Sequence, residues 1–343
     1  MQENNKLLKC LIDDSLKFSN LYQPGPYWKK KNLQSFLEIE KKGIKNFRGS
    51  DNNIGESFSD NQNTDILNDY YGRARGLFRL IFKKAYPLKN IFIRQQKLTS
   101  NYMNEKNLYK SMYFEQNTYI KELSNNFHFN DTVNCGCEDF SILNDKKISN
   151  HYLTIADTHL NFSKKIDFKK IRFFFEIGGG FGANIHFLIQ NYNNLNKIVY
   201  LDLPINLYIA TQYLKKFYND SVKDYLNVRS GKIEFSKNDN LEIICIPPWK
   251  IMDLNVKIDL FQNSNSFVEM PKNVILNYSS YIEKILHFNS KVALSSYAKF
   301  NPNTTLDPAT LEDFFNLDFD IEFAPSMVPK QKNIYLVSRS SKK

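Results

Sequence analysis

The chain has 343 residues, 42% of them hydrophobic and 15% aromatic, with a formal net charge of +10. That length allows one large domain or two of ordinary size around a substantial core, and no apolar run nears the roughly 20 residues that a membrane span needs. The lysines are dispersed among asparagines and acids with no basic stripe interleaved with aromatics, so nucleic acid is not an expected partner; the charge reads as a solvated surface, as attraction for an anionic substrate such as a sugar nucleotide, or as a peripheral contact with anionic lipid.

Residues 1–22 read as a short helix, broken by Pro24-Gly25-Pro26. The polar start, with Asp13 and Asp14, is no signal peptide, and a cytoplasmic location is expected. Tyr27-Trp28 leads into a helix with Leu33, Phe36 and Leu37 on one face and Gly43 as its stop. An Asn/Ser/Asp-rich loop follows to about Thr64, then a helix over 66–86 that ends at Pro87. In it Arg73, Arg75 and Arg79 form a solvated face or a phosphate contact. Another helix is expected near 104–124, and residues 125–147 read as irregular. Of the four cysteines, only Cys135 and Cys137 cluster, and no histidine pair completes a zinc set, so free thiols and no metal are expected.

The segment 149–165 reads as a helix whose apolar face carries Ile148, Tyr152, Ile155, His159 and Phe162. That spacing makes His159 a packed core histidine and leaves His151 off the stripe. From 171 onward strands alternate with helices, which argues for a parallel α/β sheet. The expected strands are 171–177, 197–202, 232–236, 241–246, the first half of 257–267, and 291–297. Residues 319–323 and 333–338 look like a closing antiparallel hairpin. The chain thus divides into a mainly helical region, 1–148, and a sheet-bearing domain, 149–343.

The first of these strands runs into Glu176-Ile177-Gly178-Gly179-Gly180-Phe181-Gly182-Ala183, and a helical pattern follows. A strand, a glycine bend and a helix start make a nucleotide site, because glycine permits close approach and the free N–H groups of the helix start point at the ligand. Gly178, Gly180 and Ala183 fit the G-x-G-x-x-G/A dinucleotide pattern, while Glu176, Gly178, Gly180 and Gly182 fit E-x-G-x-G-x-G. An acid beside the bend is a poor neighbour for an anionic pyrophosphate and suits an ammonium. S-adenosylmethionine is therefore favoured over NAD. Asp202 ends the second strand, where a carboxylate accepts ribose hydroxyls or caps the helix before Pro204. Trp249, in Ile246-Pro247-Pro248-Trp249, stacks on an adenine or covers the core. Asn263, Ser264 and Ser266 follow the next strand, where the methionine part and the acceptor meet, and Glu269 lies just beyond.

Glu176 to Asn184, Tyr200-Leu201-Asp202-Leu203-Pro204, Gln212-Tyr213-Leu214 and Asn263 to Met270 resemble the bacterial sugar O-methyltransferases, as do Tyr27-Trp28 and Gly43 to Arg48. The resemblance covers most of the chain and is densest after residue 170. It implies a Rossmann-like class I methyltransferase fold: a seven-stranded sheet with an antiparallel last strand, behind a mainly helical N-terminal region. That region would cover the acceptor or mediate assembly of a homo-oligomer. It also implies methyl transfer from S-adenosylmethionine to a hydroxyl of a carbohydrate or nucleotide sugar, in polysaccharide biosynthesis. Glu176, Gly178, Gly180, Gly182, Asp202, Leu203, Trp249 and Asn263 are then the expected cofactor contacts. A sugar hydroxyl is a weak acid, so a general base is expected. Glu269 is the first candidate, His186 the second and His151 the third. The rival class is an NAD-dependent oxidoreductase or epimerase acting on a nucleotide sugar; no Tyr-x-x-x-Lys or similar hydride-transfer set follows the sheet.

Overall fold

A computed structural model describes residues 4–49, 118–298, 304–325 and 332–339. The helix expected over 66–86, with its three arginines, and the polar loop before it lie outside the described residues. By contact the chain forms two compact units: Met1–Leu37, Asp157–Ser326 and Lys330–Lys343 make one, and Glu38–Ala156 with Met327–Pro329 the other. The sheet-bearing unit therefore takes in the first 37 residues, a different division from one made at residue 148 by chain order.

The helices α1 (Asn5–Ser15) and α2 (Pro26–Lys42) open the chain. Asn4 caps α1 by accepting the Leu7 N–H at 3.0 Å. Gly43, at φ 66°, stops α2 as its sequence suggests. The expected apolar face of α2 is not its buried one: Leu33 and Leu37 are exposed, and Ser35 and Ile39 are buried.

In the second unit α3 (Thr118–Asn126) is followed by a two-stranded hairpin, β1 (Phe140–Leu143) and β2 (Lys146–Ser149). The hairpin falls where an irregular stretch is expected. Its two-residue turn, Asn144-Asp145, has φ 50° and 61°, the left-handed pair that matches strand twist. The buried Arg48 guanidinium donates to the Thr132 carbonyl and to Ser149 Oγ, both at 2.7 Å.

The helix α4 (Asn150–Ser163) leads into the alternating part of the first unit. There β3 (Phe173–Ile177), α5 (Ala183–Asn191), β4 (Lys197–Leu201), α6 (Pro204–Tyr218), β5 (Val222–Lys223), α7 (Tyr225–Val228) and β6 (Glu242–Ile246) follow in turn. Next come β7 (Ile258–Ser264), α8 (Lys272–Ile285), β8 (Leu286–Tyr297), β9 (Phe319–Pro325) and β10 (Lys332–Ser338). They build one eight-stranded sheet in the order β5-β6-β4-β3-β7-β8-β10-β9. All neighbours are parallel as far as β8, and β10 runs antiparallel to both β8 and β9. Every residue of β4 and β6 is buried, as strands covered on both faces require. The expected strand 232–236 is reduced to an isolated bridge, Ile233 to Leu254, and β5 forms the edge instead.

The amino-terminal helix is part of this unit's packing. It lies on α6, and Asp14 accepts from Arg229 Nε and Nη2 at 2.9 and 3.0 Å and from the Tyr225 hydroxyl at 2.8 Å. Among the described residues no helix is long and apolar enough to cross a membrane.

Candidate functional site

The order of strands turns at β3: β4 lies on one side of it and β7 on the other. In an open α/β sheet that is where a crevice opens beyond the strand carboxyl ends. The glycine bend fills this position. Gly178, Gly180 and Gly182 have φ of 75°, 66° and 83°, which side-chain-bearing residues rarely adopt. Space matters as much. A Cβ on Gly178 would stand 2.2 Å from Ser266 Oγ, and one on Gly179 would stand 2.4 Å from Glu176 Oε2. The Gly178 N–H donates to the Leu201 carbonyl at 2.9 Å, which ties the bend to the end of β4.

Asp202 holds the bend from the other side. Its Oδ2 accepts the Gly180 N–H at 3.0 Å and the Tyr200 hydroxyl at 2.8 Å. Its Oδ1 accepts the Leu203 N–H at 2.7 Å and Asn206 Nδ2 at 3.2 Å. Four donors occupy a carboxylate with about four lone-pair sites. Asp202 thus positions the glycines and ties the start of α6 to the end of β4, and a ribose hydroxyl would have to displace one of these donors. Burial pushes its carboxyl up to about 6, against the pull of those donors.

Glu176 is different. Its Oε1 accepts Asn184 Nδ2 at 2.8 Å, and Asn184 Oδ1 meets His159 Nε2 at 2.6 Å. Its Oε2 is buried and has no hydrogen-bond partner. Burial raises the Glu176 carboxyl to about 8; the Asn184 bond opposes the shift and the nearby Asp202 charge adds to it. His159 is fully buried between Phe168 and Phe187, and burial lowers it to about 4, so it is a neutral core residue, as its place on the apolar stripe suggests. Among the described residues neither Glu176 nor Asp202 has an ion-pair partner. Two buried carboxyl groups beside a bend that closes on them leave a site that gains negative charge as Glu176 gives up its proton, with one oxygen, Glu176 Oε2, without a partner.

At the end of β7, Asn263 is a brace. Its Nδ2 donates to the Ile177 carbonyl at 2.8 Å and to Ser266 Oγ at 2.6 Å, while its Oδ1 accepts the Phe267 N–H at 3.1 Å. These bonds clip the β7 turn onto the end of β3. The turn delivers Glu269, whose Oε2 accepts the Trp28 indole N–H at 2.7 Å and whose Oε1 accepts the Tyr297 hydroxyl at 2.8 Å. Burial raises the Glu269 carboxyl above the usual range, and both donors pull it back. A carboxylate held in this way keeps lone pairs for a third donor.

Leaving aside the two-residue edge strand β5, the sheet runs 3-2-1-4-5-7-6 by chain position, with the last strand antiparallel, and the acid-glycine bend follows the first strand. This is the class I methyltransferase fold. Solved structures that this chain is similar to include the mitomycin 7-O-methyltransferase MmcR, at 11% identity and a TM-score of 0.39, with 55% of this chain covering 54% of that one. The pyocyanin biosynthetic protein PhzM follows at 12% and 0.37, with 55% of this chain covering 57% of that one. A protein from Pyrococcus horikoshii matches at 14% and 0.38, with 56% of this chain covering 92% of that one. The matched stretch thus spans about half the length of the first two. No family model matches the chain, and no curated protein matches it in sequence.

Within the methyltransferase fold two of the expected site residues, Trp249 and His186, do other work. Trp249 is 1% exposed; its ring stacks on Phe18 at 5.1 Å and 10°, and its indole N–H donates to the Tyr225 hydroxyl at 3.1 Å. That face is taken by the amino-terminal segment, so Trp249 covers core and is not free to stack on an adenine. His186 is buried on α5, stacked on Phe217 at 4.0 Å, with its Nδ1 2.8 Å from the Tyr218 hydroxyl. It packs α5 onto α6. His151 belongs to the second unit, beside Tyr152.

Sequence reasoning missed Trp28 and Tyr297 as partners of Glu269, and Asn184 as the partner of Glu176. Asn184 sits eight residues after the acid and in the first turn of α5, a spacing that could have pointed to it. The bond from Trp28 to Glu269 spans 241 residues and left no local signal.

Proposed function

We propose that this chain is an S-adenosylmethionine-dependent O-methyltransferase whose acceptor is a sugar hydroxyl. The observation that carries the donor is Glu176 Oε2: a buried acceptor without a partner, beside a second carboxylate and without a cation among the described residues. Such a site repels a pyrophosphate and fits an ammonium, with the glycine bend leaving room for it where a Cβ would intrude. When bound, the donor supplies an electrophilic methyl group on a sulfonium.

The chain's own residues then divide the work. Glu176 accepts the ammonium. Asp202 and Tyr200 hold the bend, and Asn263 fixes the β7 turn against β3. Glu269, raised by burial and oriented by Trp28 and Tyr297, takes the proton of the acceptor hydroxyl. The carbohydrate acceptor rests on the resemblance of Leu201 to Pro204 and of Asn263 to Met270 to the sugar O-methyltransferases. A cytoplasmic enzyme acting on a precursor of a surface polysaccharide is the setting that fits.

A thermal-shift titration tests the donor. S-adenosylhomocysteine should raise the melting temperature in a concentration-dependent way, and NAD should not. Stabilisation by NAD alone would replace this reading with the oxidoreductase or epimerase one.

A further inference from the structure

Glu176 has a companion that the sequence does not single out. On β7, Gln262 is its register partner across a parallel pair, just as Tyr200 is on β4. Register partners on neighbouring strands lie about 5 Å apart and point to the same face. Gln262 is 1% exposed, and its Oε1, like Glu176 Oε2, is a buried acceptor without a hydrogen-bond partner. Its amide nitrogen is already directed to Ser264 Oγ at 3.4 Å, which in turn accepts from Ser295 Oγ at 3.0 Å. Tyr200, on the other flank, is engaged with Asp202 and with the Gly180 carbonyl. The row of side chains beneath the bend therefore presents two oxygens without a partner on neighbouring strands; the one donor among them is the proton that burial keeps on Glu176, and when that proton leaves both oxygens are bare acceptors.

We infer that Gln262 is a second acceptor for the cofactor's ammonium group, paired with Glu176. A single bare acceptor is satisfied by any one N–H. Two neighbouring ones, one of them on the Glu176 carboxylate, with a second carboxylate at Asp202 and no counter-cation for either among the described residues, call for a compact cation with several donors. An ammonium carries three. A neutral buried water could bridge the same two oxygens but would leave the carboxylate charge uncompensated. The amide oxygen adds an acceptor without adding a further negative charge. It thereby gives the site a directional contact for the amino acid end of the ligand.

This inference rests on the methyl-donor reading, and the test separates the two. Binding of S-adenosylhomocysteine, and of its analogue with the amino group replaced by hydrogen, is measured by calorimetry on the wild-type chain and on Gln262→Met. The wild type should prefer the amino compound by about tenfold or more, the size expected for a charged hydrogen bond. Gln262→Met should lose most of that preference by weakening the amino compound alone, with the desamino compound bound within about twofold of wild type. Gln262→Asn, which keeps the amide but withdraws it by one methylene, should behave the same way and covers the case in which the methionine variant fails to fold. Equal weakening of both ligands would make Gln262 a structural residue and overturn the inference. An undiminished preference in both variants would do so too, and would assign the gap to water. If the wild type bound neither compound, the methyl-donor reading itself would fall and this inference with it.

Discussion

Replacing Gly178 by alanine isolates what the bend demands. Two costs add. At φ 75° an L-residue pays for left-handed backbone, about 1–2 kcal/mol. The new Cβ would also stand 2.2 Å from Ser266 Oγ and 2.5 Å from Ser266 Cβ, an overpacking worth about 1–3 kcal/mol. Together they predict a loss of about 2–5 kcal/mol, or about 4–20 °C in melting temperature for a unit of this size. The chain contains its own control. Gly231 has φ 79° and nothing within 4 Å of a Cβ, so Gly231→Ala carries the backbone cost alone, about 1–2 kcal/mol. Adding Ser266→Gly to Gly178→Ala should recover the steric share and give a coupling of about 1 kcal/mol or more in a double-mutant cycle, less what is lost with the Asn263 to Ser266 bond. Urea and thermal unfolding of the four variants, with S-adenosylhomocysteine titrated into each, supply the numbers. If Gly178→Ala costs no more than Gly231→Ala, or shows no coupling to Ser266, the bend is not closed against the β7 turn as described.

Three further outcomes follow from the same geometry. The Glu176 carboxyl stands at about 8 in the fold against 4.5 ordinarily, so the folded state holds a proton that the unfolded state has lost. Ligand-free stability should therefore fall as pH rises from about 4.5 to about 8, by at most about 1.4 kcal/mol per unit, with Asp202 adding to the lower part of that window. Ligand affinity should rise over its upper part with release of a proton, and Glu176→Gln should flatten both curves in calorimetry and pH-dependent melting. Glu269→Gln should leave S-adenosylhomocysteine affinity unchanged and lower turnover by about 10²–10⁴-fold, whereas unchanged turnover on an accepted sugar would remove Glu269 as the base. Trp249→Ala should cost about 3–5 kcal/mol of stability with the ligand's dissociation constant little altered in the folded fraction; a selective loss of affinity would return Trp249 to the cofactor site.

The parts of the fold that the sequence disclosed are those with local cause. Phe173 to Ile177 form a strand because both faces are buried, and glycines follow because the bend needs left-handed φ and no Cβ; both facts are written in adjacent residues. The same holds for Gly43 after α2 and for the antiparallel pair at the chain's end. The α2 stripe misled, because Leu33 and Leu37 suit a core by character and the packing placed Ser35 and Ile39 inward instead. The β1–β2 hairpin was hidden by its brevity, although Asn144-Asp145 carried the turn signal. Trp249 and His186 had residue types suited to a site, and only three-dimensional packing shows their faces already taken by Phe18 and Phe217. Asp202 and Asn263 were found by position at strand ends; that their atoms are committed to backbone N–H and carbonyl groups could not be read without the fold. Gln262 escaped because its meaning depends on lying beside Glu176 across two strands separated by more than eighty residues of chain.

In the proposed function a buried carboxylate under a glycine bend recognises the cationic amino acid end of a methyl donor. The most direct measurement is the dissociation constant of S-adenosylhomocysteine at pH 8 for the wild-type chain and for Glu176→Gln, with melting curves to verify that both are folded. The wild type should bind clearly, and the variant with an affinity about tenfold or more lower. Equal affinity in two folded proteins would contradict it.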